Sequence, residues 1–186
     1  MSTQTEKKLT INDFLSSSLA NKNYEYFDGK LTKKMAPKYA HSKVTGQLFI
    51  LLEKWNQTKG EVGIEWGIRL KLNDKDWCPI PDLLYISFSK LGNIQLEDDA
   101  CPIPPELVIE IISPDQSFSD LSEKAEAYLK AGVNLVWLID TQAKKITIFY
   151  PHSPPQTKQG EESLADEILP DLQLTPQQIF QKSKLI

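Results

Sequence analysis

The run Glu106-Leu107-Val108-Ile109-Glu110-Ile111-Ile112 limits the fold more than any other stretch of this chain. Both of its faces are apolar apart from the two glutamates. It therefore reads as a central strand that needs a covering layer on each side. Ser113-Pro114-Asp115 ends it. Asp120 with Glu123 three residues on reads as a capping box for a helix over about 120–131, and Gly132 stands where a helix C′ residue would. Strands over 134–140 and 145–150 follow, joined by a short polar turn. The expected fold is α+β: a mixed central β-sheet flanked by helices, in an α/β/α-like arrangement with an N-terminal β-hairpin.

The rest of the chain supplies the covering layers. Thr10 with Asp13 caps a short helix carrying Ile11, Phe14, Leu15 and Leu19. Asp28-Gly29 between two short runs suits the positive φ values of a type I′ turn, which predicts the hairpin. Val44, Leu48, Leu51, Leu52 and Trp55 recur at helical spacing, predicting an amphipathic helix over about 40–56. Residues 61–72 alternate apolar and polar as one long strand. Gly63 and Gly67 on its polar face mark a close approach or a bulge. Asn73-Asp74-Lys75-Asp76 reads as a turn, 82–87 as a strand, and 88–105 as a linker. Residues 151–163 lack any apolar period and read as a surface loop, and residues 1–9 as a polar leader. Thr175-Pro176-Gln177-Gln178 opens a last helix.

Length and charge bound the function. A chain of 186 residues, 40% hydrophobic, suits one globular domain over 1–186 with a real core. The formal net charge of −4 argues against a general attraction to nucleic acid, so contact with phosphates requires a local basic patch or a metal. No stretch approaches the length of a membrane span. Cys78 and Cys101 are too few for a disulfide framework, which predicts free thiols in a reducing cytoplasm.

Three charged residues fall where the core is expected. Asp82 opens an apolar strand after Pro81, where a turn or cap aspartate is the simpler explanation. Glu110 lies between Ile109 and Ile111, and a carboxylate there costs several kcal/mol to bury unless it is paired, protonated or metal-bound. Lys124 lies within the stripe of Leu121, Ala125, Tyr128 and Leu129 on the helix that follows. It either snorkels, pairs with Glu110 for structure alone, or aims its charge at the ends of both strands. Two inward carboxylates on adjacent strands make an oxygen site for Mg²⁺ or Mn²⁺. With a lysine beside them they match what phosphodiester hydrolysis needs. His41, beside the buried stripe of its helix, reads first as a structural histidine.

These residues resemble the PD-(D/E)XK nuclease superfamily. More narrowly, Pro81-Asp82-Leu83-Leu84-Tyr85-Ile86, the run Pro105 to Pro114, and Lys124-x-x-x-Tyr128-x-x-x-Gly132-Val133 resemble the Uma2 family of bacterial proteins. Asp140, the Asp28-Gly29 hairpin and His41 fit the same pattern. The resemblance covers about Tyr24 to Phe180. It implies a restriction-endonuclease-like core and a Mg²⁺-dependent endonuclease acting on DNA, with Asp82 and Glu110 as metal ligands and Lys124 as the catalytic lysine. The superfamily's usual lysine would stand two residues after Glu110, where this chain has Ile112. For a further acid, Glu65 is the candidate and Glu53 a poorer one.

Two other readings stand beside this one. In the first, a nuclease-like binding module no longer cuts, and Glu110 with Lys124 is a structural ion pair. In the second, the paired carboxylates hydrolyse glycosides without metal, which requires one of them protonated near neutral pH. A homodimer would set two sites against the two strands of a duplex.

Overall fold

The computed structural model describes residues 8–186, so the predicted leader lies largely outside the described residues. In chain order the elements begin with α1 (Ile11–Leu15), a 3₁₀ turn (Ala20–Lys22), β1 (Tyr24–Phe27), β2 (Lys30–Lys33) and α2 (Tyr39–Asn56). They continue with β3 (Gly60–Ile64), β4 (Leu70–Leu72), β5 (Lys75–Cys78), β6 (Leu83–Ser87), α3 (Phe88–Leu91) and β7 (Leu107–Ile111). Then come α4 (Phe118–Lys130), β8 (Leu135–Asp140), β9 (Lys145–Tyr150), β10 (Ser153–Gln159) and α5 (Pro176–Lys182).

Among the described residues the strands form two sheets. The larger has the order β10-β9-β8-β7-β6-β3, and the smaller β2-β1-β5-β4. β7 sits inside the larger sheet, antiparallel to β6 and parallel to β8. A parallel neighbour needs a crossover connection, and α4 supplies it. All five residues of β7 are buried, because each face is covered. Ile109 and Ile111 pack with Val44, Leu48 and Leu52 of α2 and with Ile179 and Phe180 of α5. Val108 packs with Leu121, Ala125 and Tyr128 of α4, with Ile68, and with Leu70 and Trp77 of the smaller sheet. The expected mixed sheet with flanking helices is thus present, and the predicted hairpin belongs to a second sheet on the α4 side.

Local chemistry explains the element ends. Asp28 and Gly29 have φ values of 49° and 89°, as the hairpin turn between β1 and β2 requires. Thr10 with Asp13 and Thr175 with Gln178 both form capping boxes. Gly132, at φ 100°, follows α4 in the left-handed region.

Several expectations are corrected. α4 starts at Phe118 and is capped by Ser117, whose hydroxyl accepts from the Asp120 backbone N–H at 3.0 Å; Asp120 is not the cap. The alternating stretch 61–72 is not one strand. The chain breaks at Glu65, which has φ 48°, and its two parts join different sheets. Trp66 folds back over Gly63, where a Cβ would lie 2.7 Å from the indole. The turn after β4 is confined to Asn73 and Asp74, both at positive φ, and Lys75 already belongs to β5. The linker contains α3. Residues 153–159, expected as loop, form β10 against β9. As an edge strand exposed along nearly its whole length it needs no apolar face, and it accommodates Pro154 and Pro155 at a register irregularity between Ser153 and Gln156. Cys78 and Cys101 are free and buried.

Candidate functional site

The pairing of β6 with β7 sets Leu83 against Ile109 and Leu84 against Val108. One step further in this register, Asp82 comes opposite Glu110, and side-chain alternation turns both toward α4. The two carboxylates line one solvent-connected pocket of about 210 Å³, together with Glu25, Lys34, His41 and Lys124. Asp82 and Glu110 are only 2% and 4% exposed. The three residues singled out from the sequence are therefore brought together.

Each carboxylate has its own set of donors. Asp82 Oδ2 accepts the Ile111 backbone N–H at 2.7 Å and His41 Nε2–H at 2.9 Å. Asp82 Oδ1 accepts from Lys34 Nζ at 2.7 Å. Burial opposes ionisation of Asp82, but the His41 hydrogen bond and the Lys34 charge outweigh it and hold its pKa down at about 2. The Glu110 carboxyl is pushed upward instead. Burial is the main cause, opposed by Lys124 and reinforced by the Asp82 charge. Glu110 Oε1 accepts from Tyr128 Oη–H at 2.8 Å and lies 3.0 Å from Lys124 Nζ. Among the described residues, none donates to Glu110 Oε2.

Lys124 is shared between two acids. Its Nζ donates to Glu25 Oε1 at 2.7 Å, closer than its contact with Glu110. Burial favours loss of its proton, but Glu110 and Glu25 outweigh that and raise its pKa, so the ammonium stays charged. Glu25 is fixed by β1 and by the Ile80 backbone N–H, which donates to its Oε1 at 3.0 Å. His41, in the first turn of α2, is steered by Thr45, whose hydroxyl donates to the His41 carbonyl at 2.9 Å and lies 3.3 Å from its Nδ1.

Other residues fall differently from expectation. Glu65 is beside the site rather than in it: its carboxylate is 3.7 Å from Lys34 Nζ, and its backbone N–H donates to the Asp82 carbonyl at 3.2 Å. Glu53 is exposed on α2, away from the pocket. Ile112 is half-buried just past the end of β7. Glu25 and Lys34 also line the pocket, and no sequence motif marks either of them. Glu25 sits in a correctly expected hairpin, but which layer the hairpin joins is a tertiary fact. Lys34 follows a strand of alternating polar residues, and nothing in its neighbourhood separates it from a solvated lysine.

The donor set can be tested against a divalent cation. Among the described residues, no group of three or more His, Cys, Asp or Glu side chains is arranged to hold a metal. Mg²⁺ does not need such a cage, since one or two carboxylates completed by water and phosphate oxygens suffice. Asp82 Oδ1 and the undonated Glu110 Oε2 fit that requirement, both being hard oxygen donors at one pocket.

Known proteins share this fold. A crystal structure described as "a putative nuclease belonging to DUF820 from Anabaena variabilis ATCC 29413" superposes with a TM-score of 0.77. It is 21% identical and covers 94% of this chain and 98% of that one, which shows a shared fold. No curated protein matches. The model of the Uma2 family, described as "Putative restriction endonuclease", matches residues 11–177. With the match running from α1 into α5, across both sheets and the pocket between them, this chain belongs to the Uma2 family.

Proposed function

We propose that the pocket between β6, β7 and α4 hydrolyses DNA phosphodiester bonds with Mg²⁺ or Mn²⁺, as an endonuclease. The observation that carries this reading is the convergence of two buried carboxylates, Asp82 and Glu110, with two ammonium groups, Lys34 and Lys124, in a pocket open to solvent. Acids with paired cations at one end of a sheet suit an anionic substrate whose reaction develops further negative charge. A divalent ion bound there would polarise the phosphoryl group and favour hydroxide formation. Asp82, held ionised by Lys34 and His41, and Glu110 would supply its oxygen ligands. Lys124, kept protonated between Glu25 and Glu110, would offer its ammonium to the attacking water or to the charge that develops on phosphate. Tyr128 and Glu25 would act by orienting Glu110 and Lys124.

The test is cleavage of plasmid DNA in Mg²⁺ or Mn²⁺ by the parent and by folded Asp82→Asn and Glu110→Gln variants. The reading requires cleavage by the parent that chelation stops and that both substitutions abolish. Cleavage surviving either substitution sinks the site assignment. A second reading has its own observation. Lys124 is clamped between Glu25 and Glu110 at 2.7 and 3.0 Å, as in a structural ion pair of a module that binds without cutting. A parent that binds duplex DNA or a protein but binds no divalent ion with or without DNA favours that module. Sedimentation of the parent tests the homodimer that a two-strand cut would need.

A further inference from the structure

Lys34 holds Asp82 ionised in the cation-free protein, a role that a divalent ion on the same carboxylate would take from it. It lies just past the end of β2, and its backbone N–H donates to the Asn23 carbonyl at 2.8 Å, which fixes where the side chain starts. Its side chain is 14% exposed, and its ammonium meets Asp82 Oδ1 at 2.7 Å. Asp82 Oδ2 already accepts two donors, the Ile111 N–H and His41. Oδ1 is therefore the oxygen left for a cation, and Lys34 stands on it. A metal ion and the ammonium cannot both sit on Oδ1 at bonding distance. The stem of a lysine is flexible and its head is a compact point charge, so Lys34 can leave without moving the backbone. A second carboxylate lies within reach: Glu65, 3.7 Å from the same Nζ and itself 32% exposed in its side chain.

We propose that Lys34 is a phosphate-binding residue that exchanges partners: it neutralises Asp82 Oδ1 in the cation-free protein and passes to a backbone phosphate of the substrate when a divalent ion takes that oxygen. The inference rests on the metal-binding reading of Asp82 given above. The exchange makes ion and nucleic acid support each other's binding. The ion frees the ammonium for phosphate, and phosphate draws away the ion's competitor. Glu65 catches the ammonium when the ion binds without nucleic acid.

The exchange is tested by calorimetry of Mn²⁺ binding without DNA, followed by duplex binding in Ca²⁺. The proteins are the parent, Lys34→Met, Lys34→Gln, Lys33→Met and Asp82→Ala. Lys33 lines the same pocket from the exposed side of β2, so its variant reports the effect of charge alone. Removing a competitor in direct contact should tighten Mn²⁺ binding by about tenfold or more in Lys34→Met and Lys34→Gln, against about twofold or less in Lys33→Met. In Ca²⁺ the Lys34 variants should bind the duplex more weakly, and the slope of log affinity against log salt should fall by about one. Mn²⁺ affinity in both Lys34 variants no higher than in Lys33→Met overturns the exchange. So does an unchanged salt slope. If Asp82→Ala still loses Mn²⁺ binding in that case, the metal reading stands without the exchange. If neither the parent nor the Lys34 variants bind Mn²⁺ without DNA, the exchange is overturned, and if duplex DNA does not restore Mn²⁺ binding the metal reading fails with it.

Discussion

Substituting Asp82 by Asn isolates the charge of the most constrained carboxylate in the structure. The side chain is 2% exposed and receives three donors, from Lys34, His41 and the Ile111 N–H. Asparagine keeps the shape and can still accept from Ile111, but it cannot answer the ammonium. The displacement of the Asp82 pKa from 3.8 to about 2 corresponds to about 2–3 kcal/mol of preference for the ionised form in the folded state. The folded-state value is depressed, so this stability is present in full above the unfolded value of 3.8 and is lost as pH falls through about 2. At pH 3 the unfolded carboxyl is mostly protonated while the folded one is still mostly ionised, and about half of the contribution remains. Urea denaturation at pH 7 and pH 3 reads this directly. Asp82→Asn should cost about 2–3 kcal/mol at pH 7, and the gap to the parent should narrow by about 1 kcal/mol at pH 3. A cost that is the same at both pH values refutes the argument, because the loss would then come from packing or hydrogen-bond geometry and not from charge.

Three further outcomes follow from the same geometry. Glu110→Gln should unfold at a higher temperature than the parent at pH 7, with the advantage shrinking as pH falls. The folded state raises the Glu110 pKa mainly through burial, so the charged form is a burden that protonation relieves; thermal melts at pH 7 and pH 5 that show the opposite trend reject this. Lys124→Met removes the ammonium shared by Glu25 and Glu110 and should cost about 3–5 kcal/mol in chemical denaturation; a variant as stable as the parent would show that the clamp is energetically idle. Gly63→Ala would place a Cβ 2.7 Å from the Trp66 ring and should cost about 1–3 kcal/mol through strain at the break between β3 and β4, read as a lower midpoint in urea.

The legible and illegible parts of this molecule divide by the range of the interactions that set them. β7 could be placed from its own residues, because burial on both faces is written into five consecutive positions. α2 and α5 were legible for the same reason: an apolar stripe and a capping box are local. β10 was not, since an edge strand exposed along its length is held by backbone pairing with β9 and needs no side-chain pattern. The stretch 61–72 misled in the opposite way. Its alternation is real, yet a left-handed residue at Glu65 sends the second half into another sheet, where the alternation serves a different core. The site divides likewise. Asp82, Glu110 and Lys124 stand out as charges inside apolar runs, a contradiction visible without coordinates. Glu25 alternates with aromatic residues on a hairpin strand and Lys34 follows a polar one, so neither charge raises a question until the smaller sheet folds over the end of the larger and delivers both to the pocket. Charges that violate the local pattern mark where a site is, and the partners that make those charges tolerable come from segments whose local pattern they satisfy.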